Sequence, residues 1–242
     1  MITIKDGIIH PFVDENYYQL GITKWIKWDM EKDGYRILLS GPSGSGKTTA
    51  AQLILSKIAR HVNNCSIYVL DYKNIDFAYL EGCKNYFKFN STTDGFLKVY
   101  DLFESRLEHN KEYSYLVLYI DEYPSWILSL SSKEQKDIQG KMARILNLSR
   151  AKNIHVILSC QKPLSELFSA GSRENFSYKI LLQAPSKETI GMLMPNFKDE
   201  IVACPTGVGY YTVNDANLTK IRVPFPSNVK AMQQDLRYAV DR

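Results

Sequence analysis

The strongest constraint on this chain is a glycine-rich octapeptide that lies between an apolar run and a helical pattern. Residues 41–48 read Gly-Pro-Ser-Gly-Ser-Gly-Lys-Thr and fit the pattern G-x-x-x-x-G-K-[ST]. The preceding residues 35–40 have the apolar character of a buried strand, and residues 47–62 carry apolar side chains at helical spacing. Glycines let successive backbone N–H groups point inward, so the loop and the helix N-terminus can bind phosphate oxygens. The sequence therefore predicts a P-loop nucleotide site.

This loop supplies the predicted contacts to nucleotide and metal. We expect Lys47 to reach the β- and γ-phosphates and the Thr48 hydroxyl to be a ligand of Mg²⁺. The predicted cofactors are therefore ATP and Mg²⁺. The predicted nucleotide-binding residues are Gly41, Pro42, Ser43, Gly44, Ser45, Gly46, Lys47, Thr48 and Thr49.

An acidic pair follows a second apolar strand. Residues 115–120 form an apolar run that ends in Asp121 and Glu122. In a P-loop enzyme, a strand that ends opposite the phosphate loop carries a carboxylate for the Mg²⁺ shell, and we assign this role to Asp121. Glu122 is predicted to polarise the attacking water as general base. This pattern favours ATP hydrolysis over transfer of phosphate to a metabolite.

A glutamine follows another apolar strand. Residues 154–159 are predicted to be a buried strand, and Gln161 lies two positions after its last residue. Ligands of open α/β sheets bind at the carboxyl ends of strands, so Gln161 is placed to sense the γ-phosphate or the water. From the residues alone, an ordinary loop residue is the alternative interpretation.

Apolar runs alternate with helical patterns along most of the chain. This rhythm predicts an α/β fold with a central, mostly parallel sheet flanked by helices. A helix is predicted at residues 134–149, a β-hairpin at 207–223 with its turn near 214–215, and a closing helix at 230–240. We expect one domain over residues 34–242, on which a lead-in of residues 1–33 packs.

The lead-in contains an amphipathic stretch at residues 22–30. Trp25 and Trp28 are three positions apart and can share one face of a helix. These side chains either pack against the domain or contact a partner or a nucleotide base.

Composition narrows the possible partners and compartments. The formal net charge of +4 in 242 residues permits a nucleic-acid partner without requiring one. The four cysteines and four histidines are dispersed, which argues against a zinc site. No stretch has the length and apolar character of a membrane span, and the start does not read as a signal peptide. We therefore expect a cytoplasmic protein without membrane insertion.

Four segments together resemble the FtsK/SpoIIIE/HerA branch of P-loop motor ATPases. They are similar to the family's phosphate loop, its strand ending in D-x-K with the stretch that follows, its acidic strand, and its sensor strand. In this sequence they are residues 38–48, 69–73 with 79–82, 119–122 and 149–163. The similarity extends over about residues 20–223. Asn153 stands where the family often has Gly, and Lys162 where it often has Arg.

The resemblance implies a RecA-like P-loop NTPase that forms a ring, usually a hexamer, and moves double-stranded DNA. It supports Gln161 as the sensor, and it implies that Arg144 or Arg150 reaches the neighbouring subunit's nucleotide as an arginine finger. Residues 128–136 are our expected channel loop, anchored by burial of Trp126. Basic residues that could face DNA are Lys84, Lys88, Lys133, Lys136, Lys141 and Lys152.

The compact motor suits a plasmid, a conjugative element or a phage. No winged-helix-like domain follows residue 223, so we do not expect recognition of oriented chromosome sequences. A relaxase or secretion-channel protein is a further possible partner. Two alternatives keep the ATPase: a protein-cargo motor, and a nucleotide-gated accessory or coupling ATPase of a secretion or conjugation system. A small-molecule kinase would need an arginine-rich lid, which the sequence does not contain.

Overall fold

Strands and helices alternate along the chain as the sequence pattern predicts. The computed structural model describes residues 6–30, 35–109, 111–168, 174–183 and 186–242. The strands in these ranges are β1 (Ile8–Asp14), β2 (Trp25–Asp29), β3 (Arg36–Ser40), β4 (Ser66–Asp71), β5 (Tyr86–Lys88), β6 (Leu116–Asp121), β7 (Ile154–Cys160), β8 (Tyr178–Leu182), β9 (Val208–Val213) and β10 (Ala216–Arg222). The helices are α1 (Glu15–Tyr18), α2 (Lys47–His61), α3 (Ser91–Glu108), α4 (Tyr123–Ser129), α5 (Ser132–Leu148), α6 (Lys187–Leu193) and α7 (Val229–Val240).

All ten of these strands lie in one mixed sheet. Their order is β2-β1-β10-β9-β8-β3-β7-β6-β4-β5. The six strands from β8 to β5 pair in parallel, and the four from β2 to β9 extend the sheet with antiparallel pairs. The prediction of an α/β fold with a mostly parallel sheet is confirmed, and so is the hairpin of β9 and β10.

Two apolar cores cover the two faces of the sheet. On one face, α2 and α7 pack over the sheet through residues such as Ile54 and Leu236. On the other face, α3, α4, α5 and α6 contribute side chains such as Phe103, Trp126 and Ile145. Strands buried on both faces explain why β3, β4, β6 and β7 are continuous apolar runs in the sequence. None of the described helices combines the length and the apolar character that crossing a bilayer requires.

The lead-in joins the sheet as strands β1 and β2. The expected helical face at residues 22–30 is wrong, because Trp25–Asp29 is a strand. Positions three apart point to opposite faces of a strand, so Trp28 is 1% exposed while Trp25 is 45% exposed. Trp28 packs among Phe12, Tyr35 and Tyr178, which places this side chain in the core. The boundary predicted between residues 33 and 34 lies outside the described residues.

The prediction that residues 128–136 form a loop is wrong. These residues are the end of α4 and the start of α5. Ser131 caps α5, its side chain accepting from the backbone N–H of Glu134, while the Glu134 carboxylate accepts from the Ser131 backbone N–H. This reciprocal pair stabilises a helix start in a stretch that composition alone assigns to a loop. The expected anchor is present, since Trp126 is buried and its indole N–H donates to Thr93 Oγ1 at 3.1 Å.

Asn153, which stands where the resembling family often has glycine, adopts a backbone conformation that asparagine tolerates. Asn153 has a φ of 55°, in the left-handed region, and leads directly into β7. Asparagine tolerates this region better than other non-glycine residues, because its short polar side chain bonds locally. Its Nδ2 donates to the Tyr113 carbonyl at 2.9 Å. Asparagine can therefore occupy this position, which is often glycine in the family that the sequence resembles.

We expect Gly209→Ala to weaken the fold next to the phosphate loop. A Cβ at Gly209 would lie 2.2 Å from the Leu181 carbonyl oxygen and 2.7 Å from Leu182 Cα, both backbone atoms of β8. Such overpacking costs roughly 1–3 kcal/mol of unfolding free energy. Gly140→Ala is the matched control, because Gly140 lies in α5 with nothing near its added Cβ. That control should be more stable by roughly 0.5–1 kcal/mol. Urea unfolding measures both, and equal effects of the two variants would contradict the close approach of β9 to β8.

Candidate active site

The predicted phosphate loop lies between β3 and the first turn of α2, as the sequence indicated. Gly44 and Gly46 have φ values of +76° and +97°, which only glycine adopts freely. A Cβ at Gly41 would lie 2.6 Å from Ser45 Oγ and 2.8 Å from the Leu182 carbonyl oxygen. The loop therefore needs glycine for both backbone curvature and close packing.

A segment far away in the sequence supports the loop from behind. The Gly207 N–H donates to the Ser45 carbonyl at 3.0 Å, and the Val223 N–H donates to the Gly207 carbonyl at 2.7 Å. Gly207 has a φ of +77° and its Cα lies close to Gly46. Gly207, just before β9, thus holds the phosphate loop, and Val223, just after β10, holds Gly207. The sequence gives only a weak sign of this role, a glycine before the hairpin.

Lys47 and Ser45 fit a phosphate ligand. The Lys47 ammonium donates to the carbonyls of Gly41 and Pro42 at 2.8 and 2.9 Å, so it folds back over its own loop. Burial lowers the pKa of Lys47, while the nearby carboxylates of Glu122 and Asp121 oppose that shift. The Ser45 hydroxyl is buried and has no hydrogen-bond partner among the described residues. A desolvated cation and an unused hydroxyl in a loop that leads into a helix N-terminus suit phosphate oxygens.

Asp121 ends β6 as a buried carboxylate. Its Oδ1 accepts a hydrogen bond from the Tyr119 hydroxyl at 2.7 Å. Burial raises the pKa of Asp121 to about 6, and the negative charges of Asp71, Asp76 and Glu122 add to this shift. A divalent cation would relieve both effects, so the donor set fits Mg²⁺.

The described residues contain no cluster of three or more His, Cys, Asp or Glu side chains arranged around a common metal position. The expected site needs none, because Mg²⁺ keeps several waters and takes substrate phosphate oxygens in sites of this kind. Thr48 and Asp121 are the residues that would hold it.

Glu122 is held in place by two partners. Its Oε1 accepts from the Gln161 backbone N–H at 3.1 Å, and its Oε2 lies 3.4 Å from Lys73 Nζ. Glu122 is only 8% exposed and has φ 49° and ψ 53°, a left-handed conformation that costs a non-glycine residue roughly 1–3 kcal/mol. Strain of this kind concentrates at functional sites. The conformation aims the carboxylate away from the strand and toward the sensor loop.

The parallel register explains why these residues meet. Ser40 at the end of β3 pairs with Cys160 at the end of β7. On the other side of β7, Leu158 pairs with Ile120 of β6. The Ser40 hydroxyl donates to the Gln161 carbonyl at 3.3 Å. Gln161 therefore lies at the site, as predicted, with its backbone in contact with Glu122.

A turn at residues 71–77 completes the site, and sequence analysis gave no role to its members. The Asp71 carboxylate is fully buried and accepts from the N–H groups of Asn74 at 2.9 Å and Phe77 at 3.2 Å. Burial raises the pKa of Asp71. The turn places Lys73 beside Glu122 and places the Asp76 carboxylate 2.9 Å from the Thr48 hydroxyl, which donates to it. The D-x-K motif at residues 71–73 resembles that of the family, but no pattern in the sequence marks Asp76.

The two candidate finger residues lie away from this chain's own site. Arg144 Nε is 2.7 Å from Glu104 Oε1 on the exposed faces of α5 and α3. Arg150 precedes β7, whereas Gln161 follows the opposite end of the same strand. Neither guanidinium is brought to the phosphate loop within one chain, so a finger role requires a neighbouring subunit.

We expect Asp121→Asn to stabilise the nucleotide-free protein near neutral pH. The folded-state pKa of about 6 lies above the ordinary 3.8, so ionising Asp121 opposes folding as pH rises through this window. At 1.36 kcal/mol per pKa unit, the carboxylate costs up to about 3 kcal/mol above pH 6. The variant should be more stable at pH 7.5, with the gain vanishing near pH 4, in urea unfolding without Mg²⁺. A pH-independent difference, or a loss at pH 7.5, would contradict this account.

The chain matches one protein family over more than half of its length. Residues 37–183 match the model of the ATPase family associated with various cellular activities (AAA). The chain is 27% identical to the FtsK domain-containing protein YdcQ of Bacillus subtilis, over 92% of this chain and 48% of that protein. It is 29% identical to the DNA translocase FtsK of Caulobacter vibrioides, over 51% of this chain and 15% of that protein. The chain thus spans about half or less of the length of these curated relatives.

A solved structure shows the same fold. The pCW3 conjugation coupling protein TcpA, in its monomer form with ATPγS, superposes with a TM-score of 0.73 at 17% identity, covering 96% of this chain and 70% of TcpA.

Proposed function

We propose that this chain, which belongs to the AAA family of ATPases, forms a hexameric ring in the cytoplasm that hydrolyses ATP to move double-stranded DNA. Its membership of the family confirms the prediction of an ATP-hydrolysing enzyme. The FtsK relatives confirm the resemblance to the FtsK/SpoIIIE/HerA motors.

The observation that carries the hydrolysis mechanism is the fixed position of Glu122. This carboxylate lies between the Gln161 N–H and Lys73, and its charge acts on Lys47 in the phosphate loop. In our mechanism, the loop N–H groups and Lys47 bind the phosphates and stabilise charge on the transferring group. Glu122 takes the proton of the attacking water. Mg²⁺, held by Thr48 and Asp121, would polarise the phosphate oxygens when bound.

DNA as cargo is supported by the relatives' names and by two free cations. FtsK of Caulobacter vibrioides is a DNA translocase, and TcpA is a conjugation coupling protein. Lys133 and Lys136 are exposed at the start of α5 and form no ion pair with any described residue. By contrast, Lys88 is paired with Glu81. Six copies of such a pair around one channel would attract the phosphate backbone.

The structure favours Arg150 over Arg144 as the finger that would reach the neighbouring subunit. Arg144 is engaged by both carboxylate oxygens of Glu104, at 2.7 and 3.2 Å. Arg150 is exposed, and its guanidinium forms no hydrogen bond or ion pair with any described residue. An uncommitted guanidinium can stabilise charge on a phosphoryl group across an interface.

The test of this proposal is the steady-state ATPase rate with and without long double-stranded DNA, at 50 and 200 mM salt. We expect a several-fold stimulation by DNA that weakens at the higher salt, since phosphate contacts release counterions. Glu122→Gln is the blank, with nucleotide binding retained and turnover lowered by about 10²-fold or more. A rate indifferent to DNA would contradict the DNA-motor proposal and favour a protein-cargo motor or an accessory ATPase.

Charge reversal locates the DNA contact in the same assay. Lys133→Glu combined with Lys136→Glu should remove most of the stimulation. Lys198→Glu combined with Lys230→Glu makes the same charge change at exposed positions on other segments, and should keep the stimulation. Equal losses in the two double variants would mean that net charge, rather than the start of α5, governs the response.

A further inference from the structure

The Thr48 hydroxyl has a carboxylate partner other than the end of the acidic strand. Its Oγ1 donates to Asp76 Oδ2 at 2.9 Å. A hydroxyl has one hydrogen to donate and two lone pairs that accept or coordinate. With the hydrogen committed to Asp76, the lone pairs of Thr48 remain available to a cation on the other side of the oxygen. Thr48 is thus oriented before any metal binds.

Two separate anchors hold Asp76 in place. Its backbone carbonyl accepts from Gln52 Nε2 of α2 at 2.9 Å. The turn that contains it is closed by the buried Asp71 carboxylate, which also accepts from the Tyr86 hydroxyl at 3.1 Å. Phe77, the residue that follows Asp76, is fully buried with its ring centroid 5.1 Å from that of Tyr119. Asp76 is therefore exposed but not freely mobile.

The negative charge of Asp76 acts on Asp121 within the site. It raises the pKa of Asp121, together with the larger effect of burial and the charge of Asp71. The negative charges of Asp76 and Asp121 thus repel one another. A divalent cation would relieve this repulsion.

We propose that Asp76 is a positioning residue of the Mg²⁺ site, which holds the Thr48 hydroxyl so that its oxygen faces the metal. By holding Thr48, Asp76 strengthens Mg²⁺ binding from outside the layer of direct ligands. Outer partners of this kind tune metal affinity by about 10–100-fold. This inference rests on the proposed function, because it concerns the Mg²⁺ that accompanies ATP at the phosphate loop.

The test measures how Mg²⁺ tightens the binding of a fluorescent ATP analogue to the full chain. In Asp76→Ala, the Mg²⁺ concentration for half-maximal tightening should rise by about 10-fold or more. Binding of the analogue in EDTA should not change. Asp76→Asn keeps an oxygen that accepts the Thr48 hydrogen bond, so its increase should be smaller. Ile75→Ala is the matched control, since Ile75 is a 70% exposed neighbour in the same turn, and it should follow the wild-type Mg²⁺ curve.

A double-mutant cycle with Thr48 separates positioning from general damage. Thr48→Val removes the donor, so adding Asp76→Ala to it should shift the Mg²⁺ curve by less than about 2-fold, because coupled residues are not additive. Full additivity, a wild-type curve for Asp76→Ala, or equal losses for Asp76→Ala and Asp76→Asn would each overturn the inference. Failure of the wild-type chain to bind the analogue with Mg²⁺ would instead overturn the proposed ATPase site. Urea unfolding of each variant checks that the chain is folded.

Discussion

The structure depends on the parallel register of β3 between its two neighbours. Ser40, the last residue of β3, lies opposite Cys160 of β7 and Leu181 of β8. Parallel strands that end together place the loops that follow them at one edge of the sheet. The phosphate loop, the Gln161 loop and the Leu182 carbonyl meet there as a consequence. One strand further along, β6 contributes Asp121 opposite Asp71 of β4, so the acidic residues reach the same edge.

The site is assembled at an energetic cost that its ligands would offset. Asp121 is a buried carboxylate, Lys47 is a desolvated cation, and Glu122 occupies a left-handed backbone conformation. None of these features stabilises the folded protein without its nucleotide. Phosphate would partner the lysine, and a divalent cation would neutralise the crowded carboxylates. The site therefore lowers the stability of the nucleotide-free protein and favours binding of Mg²⁺ and ATP, a trade-off that is common at functional sites.

Local patterns allowed prediction of the phosphate loop, the acidic strand and the β9–β10 hairpin. Each is a contiguous signal: glycines before a lysine, carboxylates after an apolar run, and Asn214-Asp215 between two strands. The short amphipathic stretch at residues 22–30 fits both the helical and the strand periodicity, so its sequence pattern does not distinguish the two structures. Pairing with β1 makes residues 25–29 a strand. The Ser131 cap is the signal that distinguishes the end of α4 and the start of α5 from the loop expected at residues 128–136.

Contacts distant in the sequence could not be predicted from these patterns. The Thr48–Asp76 hydrogen bond and the Gly207–Ser45 hydrogen bond join segments that only the sheet topology brings together. A finger from a neighbouring subunit depends on an interface, and no periodicity within one chain reports it. Arg144 binds Glu104 on the chain's own surface, whereas the Arg150 guanidinium has no such partner among the described residues, and this difference narrows the choice between them.

The central claim is that the phosphate loop, the 71–77 turn and the ends of β6 and β7 form one Mg-ATP site. Hydrogen exchange of Glu122→Gln, with and without Mg-ATP, tests this claim most directly, because it reports opening of each backbone segment separately. We expect slower exchange at residues 41–48, 72–77 and 160–162, with no change at the hairpin turn 213–216. Protection confined to residues 41–48 would contradict the claim, because the turn and the sensor loop would then respond independently of the bound nucleotide.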